Sequence, residues 1–139
     1  MFKNVLVPTD GSELSASTVA RAIDFAKDAG ARIIFFYAQP DFPTPIYGEG
    51  ALFDPTAAAE AEKILAQAKS AAEAAGVSAG SDTIVSEVPF EAIIASAERN
   101  GSDLIFMASH GRRGLSGLLL GSETQKVLTH SKVPVLVYR

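Results

Sequence analysis

Val5-Leu6-Val7-Pro8-Thr9-Asp10-Gly11-Ser12 passes from an apolar triplet with no polar alternation straight into a turn and a helix cap. A short strand that is apolar on both faces belongs inside a sheet covered on both sides. Directly after it, Ser12 supplies an N-cap acceptor. Val19, Ala22, Ile23 and Ala26 then recur at the i, i+3, i+4, i+7 spacing of one helix face. Gly30 stops that helix, at a position where a left-handed residue suits glycine. A buried strand, a polar turn and an amphipathic helix open a β-α-β unit.

The same alternation continues along the chain. Ile33–Ala38 is a second buried strand, rich in β-branched and aromatic residues. Asp54-Pro55 starts a second helix, with an N-cap acceptor before a proline at N1. Its inner face is Ile64, Ala68, Ala71, Ala72 and Ala75, and Gly76 ends it. Ile84-Val85 marks a weak third strand. Pro89 opens a third helix with Phe90, Ile93, Ile94 and Ala97 on one face and Asn100-Gly101 as its stop. Leu104–Ala108 is a fourth strand. A Gly-rich loop follows, then a helix from about Ser122 to Thr129 and a strand over Val133–Tyr138. This order predicts an α/β fold: a five-stranded parallel doubly wound sheet with helices on both faces, Rossmann-like, with strand order 3-2-1-4-5. The one extended irregular segment, Gln39–Asp54, carries Pro40, Pro43, Pro45, Gly48 and Gly50, and a loop of that length is either functional or mobile.

Composition narrows the function. The chain has 139 residues, a net charge of −4, two His, no Cys and no Trp, and is 47% hydrophobic and 20% charged. That length suits one domain spanning residues 1–139. The acidic balance argues against sequence-independent nucleic-acid binding, which needs a basic surface. Without Cys there is no thiolate metal site or cysteine nucleophile, and two His alone make a metal site an unpromising expectation. No apolar run approaches the ~20 residues a spanning helix needs, and Val5–Pro8 gives way at once to a polar turn, so a cytoplasmic protein away from membranes is expected.

In open α/β sheets, ligands bind beyond the carboxyl ends of the strands, where strand order reverses. The segments that follow the first, second and fourth strands therefore carry the candidate chemistry: Pro8, Thr9 and Asp10; Ala38; and Ala108-Ser109-His110-Gly111-Arg112-Arg113 running to Gly121-Ser122. Gly111, Gly114, Gly117 and Gly121 fall within eleven residues just before a helix. Such a loop lets backbone N–H groups converge on an anion, and the helix N-terminus adds unpaired donors. Standard phosphate motifs do not fit: Gly117-Leu-Leu-Leu-Gly121-Ser122 lacks the Walker lysine, and Gly111-x-x-Gly114-x-x-Gly117 is not GxGxxG.

A different pattern does fit. Val7-Pro8-Thr9-Asp10-Gly11-Ser12, then Met107-Ala108-Ser109-His110-Gly111, nine residues, and Gly121-Ser122, with the closing Pro134-Val135-Leu136-Val137, resemble the universal stress protein family across the whole chain. Nucleotide-binding members of that family carry Gly-x2-Gly-x9-Gly-Ser/Thr; the second and third glycines fall on Gly111 and Gly121, and the first is Ala108 here. The resemblance implies ATP lying across the strand ends. Asp10 would bond the ribose, with Pro8 and Thr9 shaping its turn, and the Ala38 backbone would meet adenine. Met107, Ala108, Ser109, His110, Gly111, Arg112, Gly121, Ser122 and Glu123 would surround the phosphates. Mg²⁺ could accompany the nucleotide without an evident protein ligand. The family resemblance further implies a homodimer through the edge formed by Val133, Pro134, Val135, Leu136, Val137 and Tyr138, acting in stress response with at most slow hydrolysis.

Plainer readings stand beside these. Ser122-x-x-Gln125 is also a capping box. Asp10 could serve only its turn, Arg112 and Arg113 could be solvated loop residues, and His130 fits a helix end. His110 has no carboxylate in motif spacing, which favours a loop histidine over a phosphotransfer catalyst. A dimeric interaction module without nucleotide is the alternative that Ala108 favours.

Overall fold

A computed structural model describes residues 1–41, 55–110 and 120–139. Asn4–Pro8 forms β1 and Glu13–Ala29 forms α1. The Ser12 hydroxyl accepts the Ser15 N–H at 3.2 Å, the expected cap. At the other end Gly30 takes φ +68°, and the Ala31 N–H reaches back to the Ala26 carbonyl at 2.9 Å, closing the last turn. Arg32–Pro40 forms β2, Pro55–Ala74 α2, Ala79–Ser86 β3, Pro89–Arg99 α3, Leu104–Ala108 β4, Ser122–His130 α4 and Val135–Tyr138 β5.

All strand pairings are parallel and the order is β3-β2-β1-β4-β5, as expected. Side chains alternate between two cores. Val5, Val7, Ile33, Phe35, Leu104 and Phe106 meet α1 and α2 on one face. Leu6, Ile34, Phe36, Ile105 and Met107 meet α3 and α4 on the other. Burial on both faces explains why β1, β2 and β4 read as unbroken apolar runs.

Several boundaries and faces differ from the sequence reading. The buried stripe of α2 is Ala61, Leu65, Ala68 and Ala72, while Ala71 is exposed and Ile64 and Ala75 are half-buried. In α3 the buried residues are Ala92, Ile93, Ser96 and Ala97, with Phe90 and Ile94 half-buried. β3 is an eight-residue edge strand, because its backbone pairs with β2 from Ala79 to Ser86 without needing two apolar faces. Its Asp82 carboxylate accepts from the Ser96 hydroxyl at 2.6 Å, the Asn100 amide at 2.9 Å and Arg99 Nε at 2.8 Å. That network ties the edge strand to the C-terminal end of α3. β5 starts at Val135, because Ser131 holds the approach in a turn, its hydroxyl accepting the Val133 N–H at 3.1 Å. The Asp54 cap, the Gln39–Asp54 loop beyond Asp41, and Gly111, Arg112, Arg113, Gly114 and Gly117 lie outside the described residues.

Candidate functional site

β1 sits between β2 and β4, so the strand order reverses beside its C-terminal end. The turn that leaves β1 is locked from several sides. The Thr9 N–H donates to the Phe36 carbonyl at 2.8 Å, and the Thr9 and Ser15 hydroxyls meet at 2.6 Å. The Ser15 oxygen also accepts the Asp10 N–H at 3.0 Å. Asp10 Oδ1 accepts the Ser12 N–H at 2.9 Å, an Asx turn that fixes the carboxylate at the rim of the strand ends. Gly11, at φ +80°, supplies the left-handed residue this tight path needs. Asp10 Oδ1 therefore serves the turn, and the half-buried Asp10 side chain lies at the strand ends. Beside it, Ala38 is half-buried at the end of β2.

Across the switch point, β4 ends in a junction with α4. The Met107 side chain is buried in the α3–α4 core, so only its backbone belongs to the strand end. The Ser109 N–H donates to the Tyr138 carbonyl at 2.8 Å, and the Ser109 carbonyl accepts the Gly121 N–H at 2.7 Å. The Thr124 hydroxyl lies 3.0 Å from the Ala108 carbonyl and 3.2 Å from that of Ser109. These bonds draw the first turn of α4 onto the end of β4.

They also decide which donors remain for a ligand. The Gly121 N–H is spent on Ser109, and the first bond within α4 is Gln125 N–H to Gly121 carbonyl at 3.0 Å. The N–H groups of Ser122, Glu123 and Thr124 precede that bond and have no acceptor within the helix. The cap of α4 is Gly121 and no side chain caps it, so the Ser122–Gln125 capping box does not form. Gln125 turns its amide to the Leu120 carbonyl at 3.3 Å instead. Ser122 is exposed, and its hydroxyl is not committed to capping. The Glu123 side chain points away, accepting the Phe90 N–H at 2.8 Å and so capping α3 from a neighbouring helix. Only its backbone can serve the site.

His110 Nδ1 lies 2.8 Å from the Ser109 hydroxyl, and its Nε2 is buried without a partner among the described residues. No carboxylate contacts the ring among those residues. His130 stacks on Phe90 at 5.2 Å, a packing role at the end of α4. Among the described residues no group of three or more His, Asp or Glu gathers to hold a metal ion, and no helix is long and apolar enough to cross a membrane. A separate groove of about 960 Å³ opens between α1 and α2. Thr9 and Gly11 line part of it, while Ala, Val and Ile side chains make most of its walls.

An acidic turn at the end of β1 and, at the end of the neighbouring β4, a helix N-terminus with open amides suit a ligand with hydroxyls at one end and anionic oxygens at the other. Residues 1–139 match the family model described as the universal stress protein family. The chain belongs to the universal stress protein family. A curated family member from Methanocaldococcus jannaschii is 32% identical over 142 residues, covering 100% of this chain and 83% of that protein. The solved structure of another M. jannaschii family member superposes with a TM-score of 0.86 at 29% identity, covering 99% of this chain and 95% of the other. A universal stress protein solved in complex with cAMP has a TM-score of 0.76 at 28% identity, covering 99% and 97%.

Thr124 and Glu123 have structural roles that sequence reasoning did not assign. Both act across long sequence separations, on Ser109 and Phe90, and no local pattern announces either.

Proposed function

We propose that this family member holds an adenine nucleotide, ATP, across the C-terminal ends of β1 and β4 as a regulatory binding protein. The observation that carries the proposal is the pairing of Asp10, fixed in its Asx turn, with a first turn of α4 whose Ser122 and Glu123 amides precede the helical ladder. A helix N-terminus with open donors favours phosphate oxygens. A carboxylate acceptor favours ribose hydroxyls. That a relative of the same fold was solved with cAMP supports an adenine nucleotide as the ligand class.

Three or four charge-assisted bonds at about 1.5–3 kcal/mol each give a gross ~5–12 kcal/mol. After the cost of ordering, that corresponds to micromolar affinity, about −8 kcal/mol. Mg²⁺ would arrive with the triphosphate. Among the described residues no carboxylate stands against His110 as a base for phosphotransfer, and the proposed role is holding ATP, with hydrolysis at most slow. The chain is proposed to act in the cytoplasm as a homodimer through β5. The carbonyls of Pro134 and Tyr138 accept from β4, so the intervening pattern turns the N–H and C=O of Val135 and Val137 outward.

Native mass spectrometry of the protein as purified tests ligand and assembly together: a dimer carrying nucleotide mass is expected. Calorimetry with ATP on stripped protein should show micromolar binding. Absent heat below millimolar ATP would favour the second reading, an interaction module without nucleotide, for which Ala108 at the first motif glycine is the supporting feature.

A further inference from the structure

β3 forms the edge of the sheet opposite β5, and the register shows which of its backbone groups face away from β2. Ile33 pairs with Ala79, and the Ile33 N–H donates to the Ser78 carbonyl at 2.9 Å. From that starting point a parallel ladder alternates by two. Gly80, Asp82, Ile84 and Ser86 turn their N–H and C=O groups toward β2, while Ala79, Ser81, Thr83 and Val85 turn theirs outward. A row of outward groups on an edge strand is a template for another strand.

Thr83 interrupts that row. Its outward N–H donates to Asp82 Oδ1 at 2.9 Å, and its outward carbonyl accepts from an Arg99 terminal nitrogen at 3.2 Å. The two caps also hold each other, because the Arg99 guanidinium donates to both oxygens of Asp82. A charge-assisted fork of this kind fixes both side chains. Any partner strand that spans three consecutive members of the four-residue row has to use Thr83. On β5, by contrast, no side chain among the described residues takes the outward groups of Val135 or Val137. We propose that Asp82 and Arg99 form a guard that closes the β3 edge to pairing with a second copy of this chain, leaving β5 as the edge from which the sheet extends. The guard is independent of the nucleotide reading.

Amide hydrogen exchange on the wild-type protein reads the cap directly. The Thr83 N–H should exchange at least about tenfold more slowly than those of Ser81 and Val85, after correction for sequence. Equal rates would overturn the proposal. Sedimentation velocity then reads the closure, in a Val137→Pro parent so that the β5 edge is silent. Adding Arg99→Met frees the Thr83 carbonyl while Asp82 keeps its Ser96 and Asn100 partners. Adding Asp82→Ala as well frees the N–H. Size should rise with protein concentration above that of the parent, further for the second variant than for the first. If the second does not fold, the first still carries the test. A final Ser81→Pro, which removes an outward N–H and spares the ladder to β2, should restore the parent's size. Association that survives Ser81→Pro comes from loosened packing, and no association at millimolar protein means the edge needs no guard; either result overturns the proposal. The β5 reading is judged separately, by whether the parent itself is monomeric, and the increment is measured against the parent in both cases.

Discussion

Asp10→Asn isolates the ribose contact from the turn that carries it. In the structure Oδ1 accepts the Ser12 N–H at 2.9 Å, and an asparagine oxygen can accept that same bond. The turn should therefore persist, with Thr9 and Ser15 still locked at 2.6 Å. What changes is the second oxygen, replaced by an amide NH₂ that donates where the ribose hydroxyls also donate. Losing a hydrogen bond to a charged acceptor costs about 1.5–3 kcal/mol. At about 1.4 kcal/mol per tenfold, ATP affinity should fall roughly 10- to 150-fold. Calorimetry measures the affinity, and thermal melts confirm the fold. Dideoxy-ATP supplies the internal control: wild type should discriminate it from ATP, and the variant should not. Retained ATP affinity within about twofold in Asp10→Asn would refute the placement of ribose at this carboxylate.

Three other perturbations test the scaffold and the assembly. Asp82→Ala leaves the fully buried Ser96 hydroxyl and the Asn100 amide short of an acceptor, and denaturant titration should show a loss of about 2–3 kcal/mol. Burial pushes the Asp82 carboxyl up, but the Arg99, Ser96 and Asn100 hydrogen bonds outweigh it and hold the group below its ordinary 3.8. Its stabilising contribution is thus present above that value and is lost as pH falls through it toward the lower folded pKa; the stability gap between wild type and Asp82→Asn should shrink as pH falls below about 4, and a constant gap would contradict this. Gly30→Ala should cost about 1 kcal/mol in the same titration: nothing lies within 4 Å of the added methyl, so the cost is that of the left-handed backbone. Val137→Pro removes an outward N–H on the edge of β5 while sparing the ladder to β4, so sedimentation should report monomer for the variant and dimer for wild type; unchanged dimer would place the interface elsewhere.

How legible the fold was depends on contrast within each segment. β1 and β4 are sandwiched between two helix layers, and their apolar runs mark them almost to the residue. β3 was marked only at Ile84-Val85, because Ser81, Asp82 and Thr83 give the rest of an edge strand no apolar signature, and its ladder to β2 is a backbone property. The face of α2 was misjudged by about one residue because alanine stands both inside, at Ala61, Ala68 and Ala72, and outside, at Ala71. Hydrophobic period cannot rank identical side chains.

The candidate site divides in the same way. Asp10, Ala38 and Ser122 could be named because strand ends and a spaced motif point to them locally. The spending of the Gly121 amide on Ser109, the turning of Glu123 toward Phe90 and the anchoring of Thr124 all depend on contacts between segments brought together by the sheet. A Ser122–Gln125 capping box was legible and did not form, because Gly121 took the cap and Gln125 reached Leu120.

A backbone ¹H–¹⁵N titration of the stripped protein with ATP weighs the central proposal most directly. Saturating shifts at Thr9, Asp10, Ala38, Ser109, His110 and Ser122, with the α1–α2 groove quiet at Ala20, Ile23 and Ala68, are the predicted result. A spectrum unmoved by millimolar ATP, or one moved along that groove instead, would contradict a nucleotide bridging the ends of β1 and β4.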